Sequence, residues 1–457
     1  MSTRIHSLPY YIWNVEPKIK FFKTMITFEG AYCKDVKIFT DNIEEDALKT
    51  VHDIADSKAF EDAKIRIMPD VHSGKGIVIG FSCPVGAYVN PNHIGVDIGC
   101  QMTTVRLSRA LTEGEYAKFE KEVKKAVPTG FAIHSKRMYN DKEFYKWMTD
   151  KYNAIHRKNK SLINPIKRID EDFITDMCRR LGLDIGKFYK SIGTVGGGNH
   201  FIEYGEGNDG NGYLTIHCGS RNFGLKVCKY WDTRAKHTLS RDDKKRIVQY
   251  VKDSGFPKTE WQNKIKEFTE EFNGQFIDGY LSGDDLNGYM SDMVVATLYA
   301  SYNHKMILGI INDIISKRMS ITLTDDRINT MHNYIDFDDL IIRKGAIRSV
   351  VGEKMIIPFN MRDGIAICEG KSNPDWNYSA PHGAGRLMSR AQAKKNISID
   401  EFKESMSNVY STTVCEETKD ESPMAYKQMD EILELIEPTA NILFMIKPKI
   451  NIKAIES

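Results

Sequence analysis

The 457-residue sequence lacks any strong excess of charge of one sign, with 64 lysines and arginines against 62 acidic residues. A formal net charge of +2 excludes an overall field that attracts a highly charged partner, so any nucleic-acid surface would be a local basic patch. Internal repeats and low-complexity linkers are also absent from the sequence. Because 41% of the residues are hydrophobic, the chain can bury a large core, which excludes extensive disorder.

Segments typical of export or membrane insertion are missing as well. Residues 1–20 contain no charged region followed by an apolar run, so we expect no signal peptide. The longest apolar stretch, residues 293–315, is interrupted by Asn303, Lys305 and Asp313, and its apolar residues recur at helical spacing. It predicts a buried helix rather than a membrane span. We therefore expect a cytoplasmic protein that makes no membrane contact.

Cysteine pairs of the CxxC type and the spacings of a disulfide framework are missing too. The eight cysteines stand at positions 33, 83, 100, 178, 218, 228, 368 and 415. This pattern predicts reduced thiols in a cytoplasmic chain, most of them small core residues. Cys100 and Cys218 are the exceptions to this core assignment, because they stand in glycine-bracketed polar segments.

The period of the apolar residues changes several times along the chain. Strand-like segments lie at 63–108, 191–205, 212–220, 341–351 and 355–360. Helical periodicity covers 112–127, about 240–254, 284–317 and a segment after residue 390. No clear boundary separates these segments. The prediction is one intertwined α+β domain over residues 1–457, with helical insertions at about 112–190 and 226–317 and an active-site cleft lined by strand ends and loops.

Five of the twelve histidines share an unusual context. Each stands at the end of an apolar run, beside small, turn-forming or amide residues; they are His72, His200, His217, His332 and His382. The other seven, at positions 6, 52, 93, 134, 156, 237 and 304, stand in polar, surface-like or helical surroundings. Side chains at strand ends can converge on one pocket, so the first five are candidates for a functional site.

The segment GVDIGC places the carboxylate of Asp97 and the thiol of Cys100 at the end of an apolar strand. A tight turn, a reactive cysteine or a metal site would each explain the pair. Together with His200, His217 and His332, they form a mixed ligand set that suits manganese, iron or zinc, and a thiolate can bridge two such ions. Spacing alone leaves this metal site about as well supported as a structural turn with scattered core histidines.

Signals for phosphate binding come from glycine-rich turns. The segment GTVGGGN at 193–199 offers flexible backbone N–H groups beside the Asn199 amide, although it matches neither the Walker nor the dinucleotide pattern. Other glycine-bounded turns carry Arg221, Lys344, Arg386 and Arg390. Solvated surface charge would also explain these four side chains, but their position beside the candidate histidines favours contacts to backbone phosphates.

Seven motifs occur in a fixed order along the chain. They are MPDVHSGKG, GVDIGC, GTVGGGNHFIE, HCGSR, RKGA, SAPHGAGRLMSR and a final INIKA. This ordered set resembles the motifs of the RtcB-type RNA ligases, from about residue 65 to the C-terminus. The resemblance implies an enzyme that joins an RNA 3′-phosphate, or a 2′,3′-cyclic phosphate, to a 5′-hydroxyl in RNA repair or tRNA splicing. It also implies GTP, two Mn²⁺ ions and a guanylylated histidine.

The resemblance assigns roles to individual residues. It implies that Cys100 bridges the two metals, that His217 and His332 hold one of them, and that Asp97 and His200 hold the other. His382 would be the nucleophile, Asp70 would orient it, and Lys453 would be a further catalytic and nucleotide contact. The nucleotide would also contact Asn199, Glu203, Asn360, Arg362, Gly383, Ala384, Gly385, Arg386 and Tyr426, with Glu203 reading the guanine edge. Arg221, Lys344 and Arg390 would bind RNA phosphates.

Three segments depart from the family pattern. IIPFNMRDG stands where many members have a Gly-Ser-Met-Gly turn, so Asn360 and Arg362 replace small nucleotide contacts. HCGSRNFG brings in Cys218 and Asn222 where serine and glycine are usual, and Lys453 is followed by alanine rather than by a terminal glycine. The departures affect the expected nucleotide contacts but no expected metal ligand.

Two other function classes use some of the same residues. A binuclear metal phosphoesterase would need the metal ligands but no covalent adduct on His382. A catalytically silent RNA-binding protein would use the basic turns, but it would leave the Asp97 and Cys100 pair without a purpose. Covalent labelling with GTP and manganese distinguishes the ligase from both alternatives.

Overall fold

The computed structural model describes residues 25–236, 241–274 and 277–455. Residues 1–20, where no signal peptide was expected, lie outside this part of the chain, as do His6 and His237. The described residues contain both helices and sheets, which confirms the predicted α+β class. No helix among them is both long enough and apolar enough to cross a lipid bilayer.

The strands of the described residues are numbered in chain order. They are β1 (Ile26–Phe28), β2 (Asp35–Ile38), β3 (Lys64–His72), β4 (Ile79–Pro84), β5 (Gln101–Leu107), β6 (Phe201–Gly207), β7 (Gly212–Cys218), β8 (Leu323–Met331), β9 (Asn333–Asp336), β10 (Ile341–Lys344), β11 (Ala346–Arg348), β12 (Lys354–Asn360), β13 (Gly364–Gly370), β14 (Ser379–Pro381) and β15 (Ala440–Lys453).

The helices are numbered in the same way. They are α1 (Glu45–Ala55), α2 (Tyr116–Ala126), α3 (Asp141–Lys158), α4 (Glu171–Leu181), α5 (Ile185–Lys190), α6 (Arg221–Ala235), α7 (Arg241–Asp253), α8 (Trp261–Gly274), α9 (Gly283–Met319), α10 (Arg390–Asn396), α11 (Ile399–Ser405) and α12 (Met429–Leu435).

One sheet has six strands in the order β1-β2-β3-β4-β10-β9. Its neighbours are antiparallel except for the parallel pair β2 and β3. Arg66 on β3 is buried and fixes this sheet to a neighbouring loop, because its guanidinium pairs with Asp35 and donates to the Asp375 carbonyl. The C-terminal end of β3 carries Asp70 and His72 toward the second sheet.

The second sheet has seven antiparallel strands in the order β12-β13-β15-β6-β7-β5-β8. Its two outer strands lie close to each other: the Ile356 N–H on β12 donates to Thr330 Oγ1 on β8 at 3.0 Å. The sheet therefore curls around an apolar interior to which Met102, Phe201 and Ile365 contribute. One mouth of this curled sheet receives the strand ends that carry the candidate residues.

The helices form a layer against the sheets. The apolar segment around residue 300 forms α9, a helix of 37 residues packed in the core, as its periodicity predicted. Helices α2, α3 and α6 pack against it. Individual bounds were not predicted for α6 or α8, which fall mostly within the expected insertion at about 226–317, because polar residues interrupt their apolar spacing. Helices occupy both segments in which insertions were expected; their status as insertions into one domain stays a prediction.

Asp292 on α9 joins this helix to two others. The Arg180 guanidinium of α4 donates to both Asp292 oxygens at 2.8 Å, and Trp231 Nε1–H of α6 donates to Oδ2 at 2.7 Å. The carboxylate is largely buried, so its partners lose their hydrogen bonds if it is removed.

We predict that Asp292→Ala lowers the free energy of unfolding by about 1–3 kcal/mol, because it leaves the buried Trp231 N–H without an acceptor. Urea denaturation followed by circular dichroism measures the change. The matched control is Asp176→Ala, which breaks an exposed ion pair with Arg179 on α4 and is expected to cost about 0–1 kcal/mol. Equal effects of the two substitutions would contradict the role given to Asp292.

Candidate functional site

The six residues expected to share one cleft stand at or beside strand ends. Asp97 and Cys100 precede β5, His200 precedes β6, His217 lies near the end of β7, His332 follows β8 and His382 follows β14. Within the curled sheet, Met102 and Phe201 both pair with His217, and Gln101 pairs with Met331. These registers bring the ends of β5, β6, β7 and β8 together at the same mouth.

The Cys100 thiol is the point at which the candidate metal ligands meet. Its Sγ lies 3.3 Å from His200 Nε2 and 3.3 Å from His217 Nε2. His332 Nε2 is 3.3 Å from His217 Nε2, and Asp97 Oδ2 is 2.9 Å from His200 Nε2. The five side chains therefore form two groups that share Cys100, with Cys100, His200 and His217 as the compact centre.

The spacing of these atoms fits a coordinated ion. Two ligands of a tetrahedral ion, bound at about 2.0–2.3 Å, lie about 3.3–3.8 Å apart. His217 presents the correct atom, because its Nδ1–H donates to the Asn199 carbonyl and leaves a lone pair on Nε2. Burial, together with Asp97, raises the pKa of Cys100 well above its usual range, so a thiolate at this position needs a cation beside it. The chemistry of the donor set is that of a transition-metal site.

Cys218, the second cysteine singled out in the sequence, is not part of this group of ligand atoms. Its thiol lies 3.5 Å from the Thr194 carbonyl and accepts from Asn303 Nδ2 at 3.4 Å. Cys218 is therefore buried next to the cluster, where it interacts with His200, but it is not one of the grouped ligand atoms.

His382 and Asp70 form a second arrangement at the same mouth. The pairing of β11 with β14 aligns Ala346 with Pro381, and this places Gly345 beside His382. Asp70 Oδ2 lies 2.6 Å from His382 Nδ1 and also accepts from the His382 backbone N–H at 3.1 Å. Because an ionised carboxylate only accepts, this contact requires a proton on Nδ1, so the neutral imidazole has its lone pair on Nε2.

Two glycines permit the close approach of these segments. Gly345 has a φ of 60°, and a Cβ there would lie 2.2 Å from Ile79 Cγ2 and 3.2 Å from His382 Cε1. Gly385 has a φ of 76°, and a Cβ would lie 2.1 Å from the Asp70 carbonyl oxygen. A side chain at either position would displace the histidine or its aspartate.

A cavity of about 280 Å³ opens at this mouth. Among the predicted residues it is lined by Asp97, Cys100, Asn199, Glu203, His217, His332, Asn360, His382, Gly383, Ala384, Gly385, Arg386, Arg390, Tyr426 and Lys453. The His332 and His382 rings are 4.9 Å apart, so the metal-ligand cluster and the His382 imidazole share the cavity. His72, a candidate histidine to which the resemblance assigns no role, also lines it, and burial lowers its pKa to about 4.

Glu421 is a cavity residue that the sequence did not reveal. Its carboxylate lies 2.8 Å from Lys453 Nζ, 2.7 Å from an Arg390 nitrogen and 3.4 Å from an Arg386 nitrogen, and it accepts from the Tyr426 hydroxyl at 2.9 Å. Burial alone would raise its pKa, but the three cations lower it to about 2. Glu421 stands five residues before Tyr426 and next to a second acid, Asp420. This proximity to an expected nucleotide contact was the sequence signal that could have identified Glu421.

Two of the cations expected to bind RNA are engaged by the protein itself. Lys344 is 5% exposed, and its ammonium donates to the carbonyls of Lys75 and Asn92 at 2.7 and 2.8 Å. Arg221 donates to Thr194 Oγ1 and to the Gly130 carbonyl. Neither lines the cavity, and RNA contact stays a prediction for both. Lys344 would have to leave its carbonyl partners, whereas the partly exposed Arg221 retains N–H donors that these contacts do not use.

The segment that replaces the Gly-Ser-Met-Gly turn connects β12 to β13. Asn360 lines the cavity, but its side-chain oxygen accepts from the Arg362 and Asp363 backbone N–H groups, so it holds the turn. Arg362 does not line the cavity, because its guanidinium pairs with the neighbouring Asp363. The nucleotide contact expected of Arg362 stays a prediction, and it would require the guanidinium to leave Asp363.

Two histidines expected in surface-like surroundings are buried. His93 packs against the Phe60 ring at 5.5 Å, and burial lowers its pKa to about 3. His134 contacts the Gly193 carbonyl through Nε2 at 3.0 Å. The sequence around both histidines is polar, so it did not indicate that they are buried. His304 is a satisfied packing residue of α9, as expected, with Thr103 and the Cys218 carbonyl as partners.

Glu203 is the buried carboxylate at the inner end of the cavity. Its Oε2 accepts from Asn451 Nδ2 at 2.8 Å, whereas its Oε1 has no hydrogen-bond partner among the described residues. Burial raises its pKa to about 8, and the Asn451 hydrogen bond and the Lys453 charge oppose that rise only in part. Glu203 and Glu421 line one cavity, yet their pKa values move in opposite directions.

We predict that Cys100→Ala lowers the number of Mn²⁺ or Zn²⁺ ions bound per chain by at least one, because Cys100 Sγ contacts both halves of the ligand cluster. Elemental analysis after dialysis against each ion measures the content. Cys415→Ala is the control, since that thiol contacts Thr413 and Thr418, lies outside the ligand cluster and should leave the metal content unchanged. Full metal content in the Cys100 variant would contradict the shared ligand.

We predict that Glu203→Gln gains stability relative to the unsubstituted protein as pH rises. Between pH 4.5 and about 8 the folded protein keeps a proton on Glu203 that the unfolded chain releases, so ionisation destabilises the fold progressively over this interval. Thermal unfolding without nucleotide at about pH 5 and about pH 9 measures the difference, which should appear only at the higher pH. An identical difference at both pH values would show that Glu203 is already ionised at pH 5.

Comparison with known proteins agrees with this geometry. The family profile described as tRNA-splicing ligase RtcB matches residues 51–454. The RNA-splicing ligase RtcB of Escherichia coli (strain K12) is 27% identical, with 94% of this chain and 99% of the relative covered. The tRNA-splicing ligase RtcB of Archaeoglobus fulgidus is 24% identical, with 86% and 88% covered, and RNA-splicing ligase RtcB homolog 1 of Entamoeba histolytica is 24% identical, with 84% and 80% covered. Because the profile spans most of the residues and the strand-end cluster, the chain belongs to the RtcB family of tRNA-splicing ligases.

Proposed function

We propose that the protein is an RNA ligase that joins RNA 3′-phosphate or 2′,3′-cyclic phosphate ends to 5′-hydroxyl ends, using GTP and two Mn²⁺ ions and a histidine–GMP intermediate. The observation that carries the proposal is the His382 and Asp70 pair, set in the same cavity as the Cys100 cluster. Family membership supports RNA as the substrate. RNA repair and tRNA splicing are both processes that supply such ends.

His382 is the nucleophile in this scheme. Asp70 holds the proton on Nδ1, so Nε2 offers its lone pair to the α-phosphorus of GTP. A nitrogen–phosphorus bond forms, the bond from the α-phosphorus to the β-phosphate oxygen breaks, and pyrophosphate leaves. Asp70 also stabilises the positive charge that develops on the ring, because its Oδ2 remains hydrogen-bonded to Nδ1–H.

Transfer of GMP to RNA explains why a covalent histidine is useful. An RNA 3′-phosphate reacts poorly with an alcohol, because its own oxygens are poor leaving groups. When the 3′-phosphate oxygen attacks the phosphorus on His382, the nitrogen–phosphorus bond breaks and GMP becomes attached to the RNA end. The 5′-hydroxyl then attacks the RNA phosphorus, and GMP leaves as the new phosphodiester forms. A cyclic phosphate is first opened by water to the 3′-phosphate.

The remaining cavity residues hold the nucleotide. Asn199, Asn360, Gly383, Ala384, Gly385, Arg386, Tyr426 and Lys453 surround the space beside His382. Lys453 and Arg386 bring positive charge to phosphate oxygens, and the ion pairs with Glu421 hold both cations in place. Glu203 lies at the inner end, where a base would reach it.

The metals have two sets of ligands in this scheme. Asp97, Cys100 and His200 would hold one ion, and Cys100, His217 and His332 would hold the other. When bound, the ions neutralise phosphate charge and lower the pKa of a coordinated water or hydroxyl. All eight cysteines are free thiols, which suits a reducing compartment such as the cytoplasm.

A metal phosphoesterase remains the second candidate, because the Cys100 cluster alone suits hydrolysis of a phosphate diester. Such an enzyme has no need for a buried aspartate that fixes the tautomer of a cavity histidine. The 2.6 Å contact between Asp70 and His382 therefore favours the ligase.

We predict that His382→Ala abolishes covalent labelling by α-labelled GTP and Mn²⁺, together with ligation of 3′-phosphate ends, because no other lone pair replaces Nε2. Denaturing gel electrophoresis measures the adduct. The variant should still join an RNA that already carries a 3′-guanylate, since that displacement does not use His382. His156→Ala on α3 is the control and should label normally. Labelled His382→Ala protein would move the nucleophile elsewhere, and an unlabelled but hydrolytically active natural protein would favour the phosphoesterase.

A further inference from the structure

Asn451 is a cavity residue to which the proposed reaction gives no role. It lies on β15 directly opposite Glu203 on β6, and the next pair on this face joins Lys453 to Phe201. All four side chains line the cavity. Asn451 is 1% exposed and Glu203 is 3% exposed, so the two polar side chains share a nearly dry position at the inner end of the cavity.

The hydrogen bonds of this pair are incomplete in a particular way. Asn451 Nδ2 donates to Glu203 Oε2 at 2.8 Å. Glu203 Oε1 and Asn451 Oδ1 are both buried and have no partner among the described residues. Because Asn451 uses its N–H toward Glu203, its carbonyl oxygen is the atom left unpaired. Two neighbouring buried oxygens therefore lack hydrogen-bond donors.

Unpaired buried acceptors of this kind are costly for the protein, and native structures contain few of them. A structural asparagine would satisfy its carbonyl within the fold. A ligand that places two adjacent N–H donors at the inner end of the cavity would satisfy both oxygens at once.

We propose that Asn451 determines specificity for the nucleotide base: Glu203 Oε1 accepts from the ring N–H of guanine, and Asn451 Oδ1 accepts from its exocyclic amine. The assignment rests on the proposed use of GTP and divides between two residues the base recognition that Glu203 was expected to perform alone. Hypoxanthine has the ring N–H but lacks the amine, so it leaves Asn451 Oδ1 unpaired. Adenine has no donor at N1 and no exocyclic amine at C2, so it supplies neither Glu203 Oε1 nor Asn451 Oδ1 with an N–H.

An aspartate at position 451 could not take the same role. It would place a second carboxylate against Glu203, and it would lack the N–H that fixes Glu203 Oε2. The amide supplies one donor toward the protein and one acceptor toward the ligand, which is the combination that this position requires.

Binding and labelling by GTP, ITP and ATP test the assignment. Dissociation constants from calorimetry and adduct yields from labelled nucleotides are measured for the natural protein, for Asn451→Leu and for Asn441→Leu, a control at an exposed position on the same strand. The natural protein and the control should prefer GTP over ITP by about 5- to 150-fold. Asn451→Leu should reduce that preference to about twofold or less, chiefly through weaker binding of GTP.

Equal affinity of the natural protein for GTP and ITP would overturn the assignment, whether or not the variant folds. An unchanged GTP preference in a folded Asn451→Leu protein would overturn it as well. Loss of the GTP preference in Asn451→Leu supports the assignment even if GTP labels neither the natural protein nor the variant. Binding selectivity without any adduct would reject the covalent mechanism and retain the base contact.

Discussion

Contact between the Cys100 thiol and two imidazole nitrogens is the interaction on which the site depends. It exists because the pairings of β5 and β6 with β7 bring three chain segments to one mouth of the curled sheet. A slip of one residue in either register would turn alternate side chains to the opposite face and separate the ligands. The apolar interior of the sheet fixes the registers, and the registers fix the site. The cluster is thus a consequence of packing and could not form on isolated strands.

Two buried carboxylates that line one cavity have pKa values shifted in opposite directions because their neighbours differ. Glu421 has three cations around it, which lower its pKa to about 2. Glu203 has an amide and a more distant lysine, so burial dominates and raises its pKa to about 8. Asp70 contacts the His382 imidazole and fixes its tautomer. The cavity therefore separates a region that attracts phosphate from a region that accepts donors, and a nucleotide has both kinds of group.

The residues that the sequence identified were those with a local signature. Asp97, Cys100 and His382 stand in glycine-rich turns that suit strand ends, and their motifs occur in a specific order. The α+β class and the core helix α9 were also predictable, because the spacing of apolar residues is a local feature of the sequence. Glu421 and Asn451 were not identified, because their importance comes from partners on other strands or in distant loops. Nothing in a single strand shows that an amide will face a carboxylate on the next one.

Burial also divides the cations that the motifs suggested for RNA. Lys344 is the last residue of β10, and its ammonium donates to the backbone carbonyls of Lys75 and Asn92. These hydrogen bonds connect the turn at Gly345 to the segments around Lys75 and Asn92. Removal of Lys344 would alter the position of that turn, and therefore of His382, before any effect on RNA. The Arg390 side chain is 44% exposed at the cavity edge, and its partners Asp420 and Glu421 belong to the same wall. An RNA phosphate can approach Arg390 without opening the fold, because the guanidinium has donors left over after both ion pairs. Loss of Arg390 should therefore act on RNA binding, whereas loss of Lys344 should act on the geometry of the site.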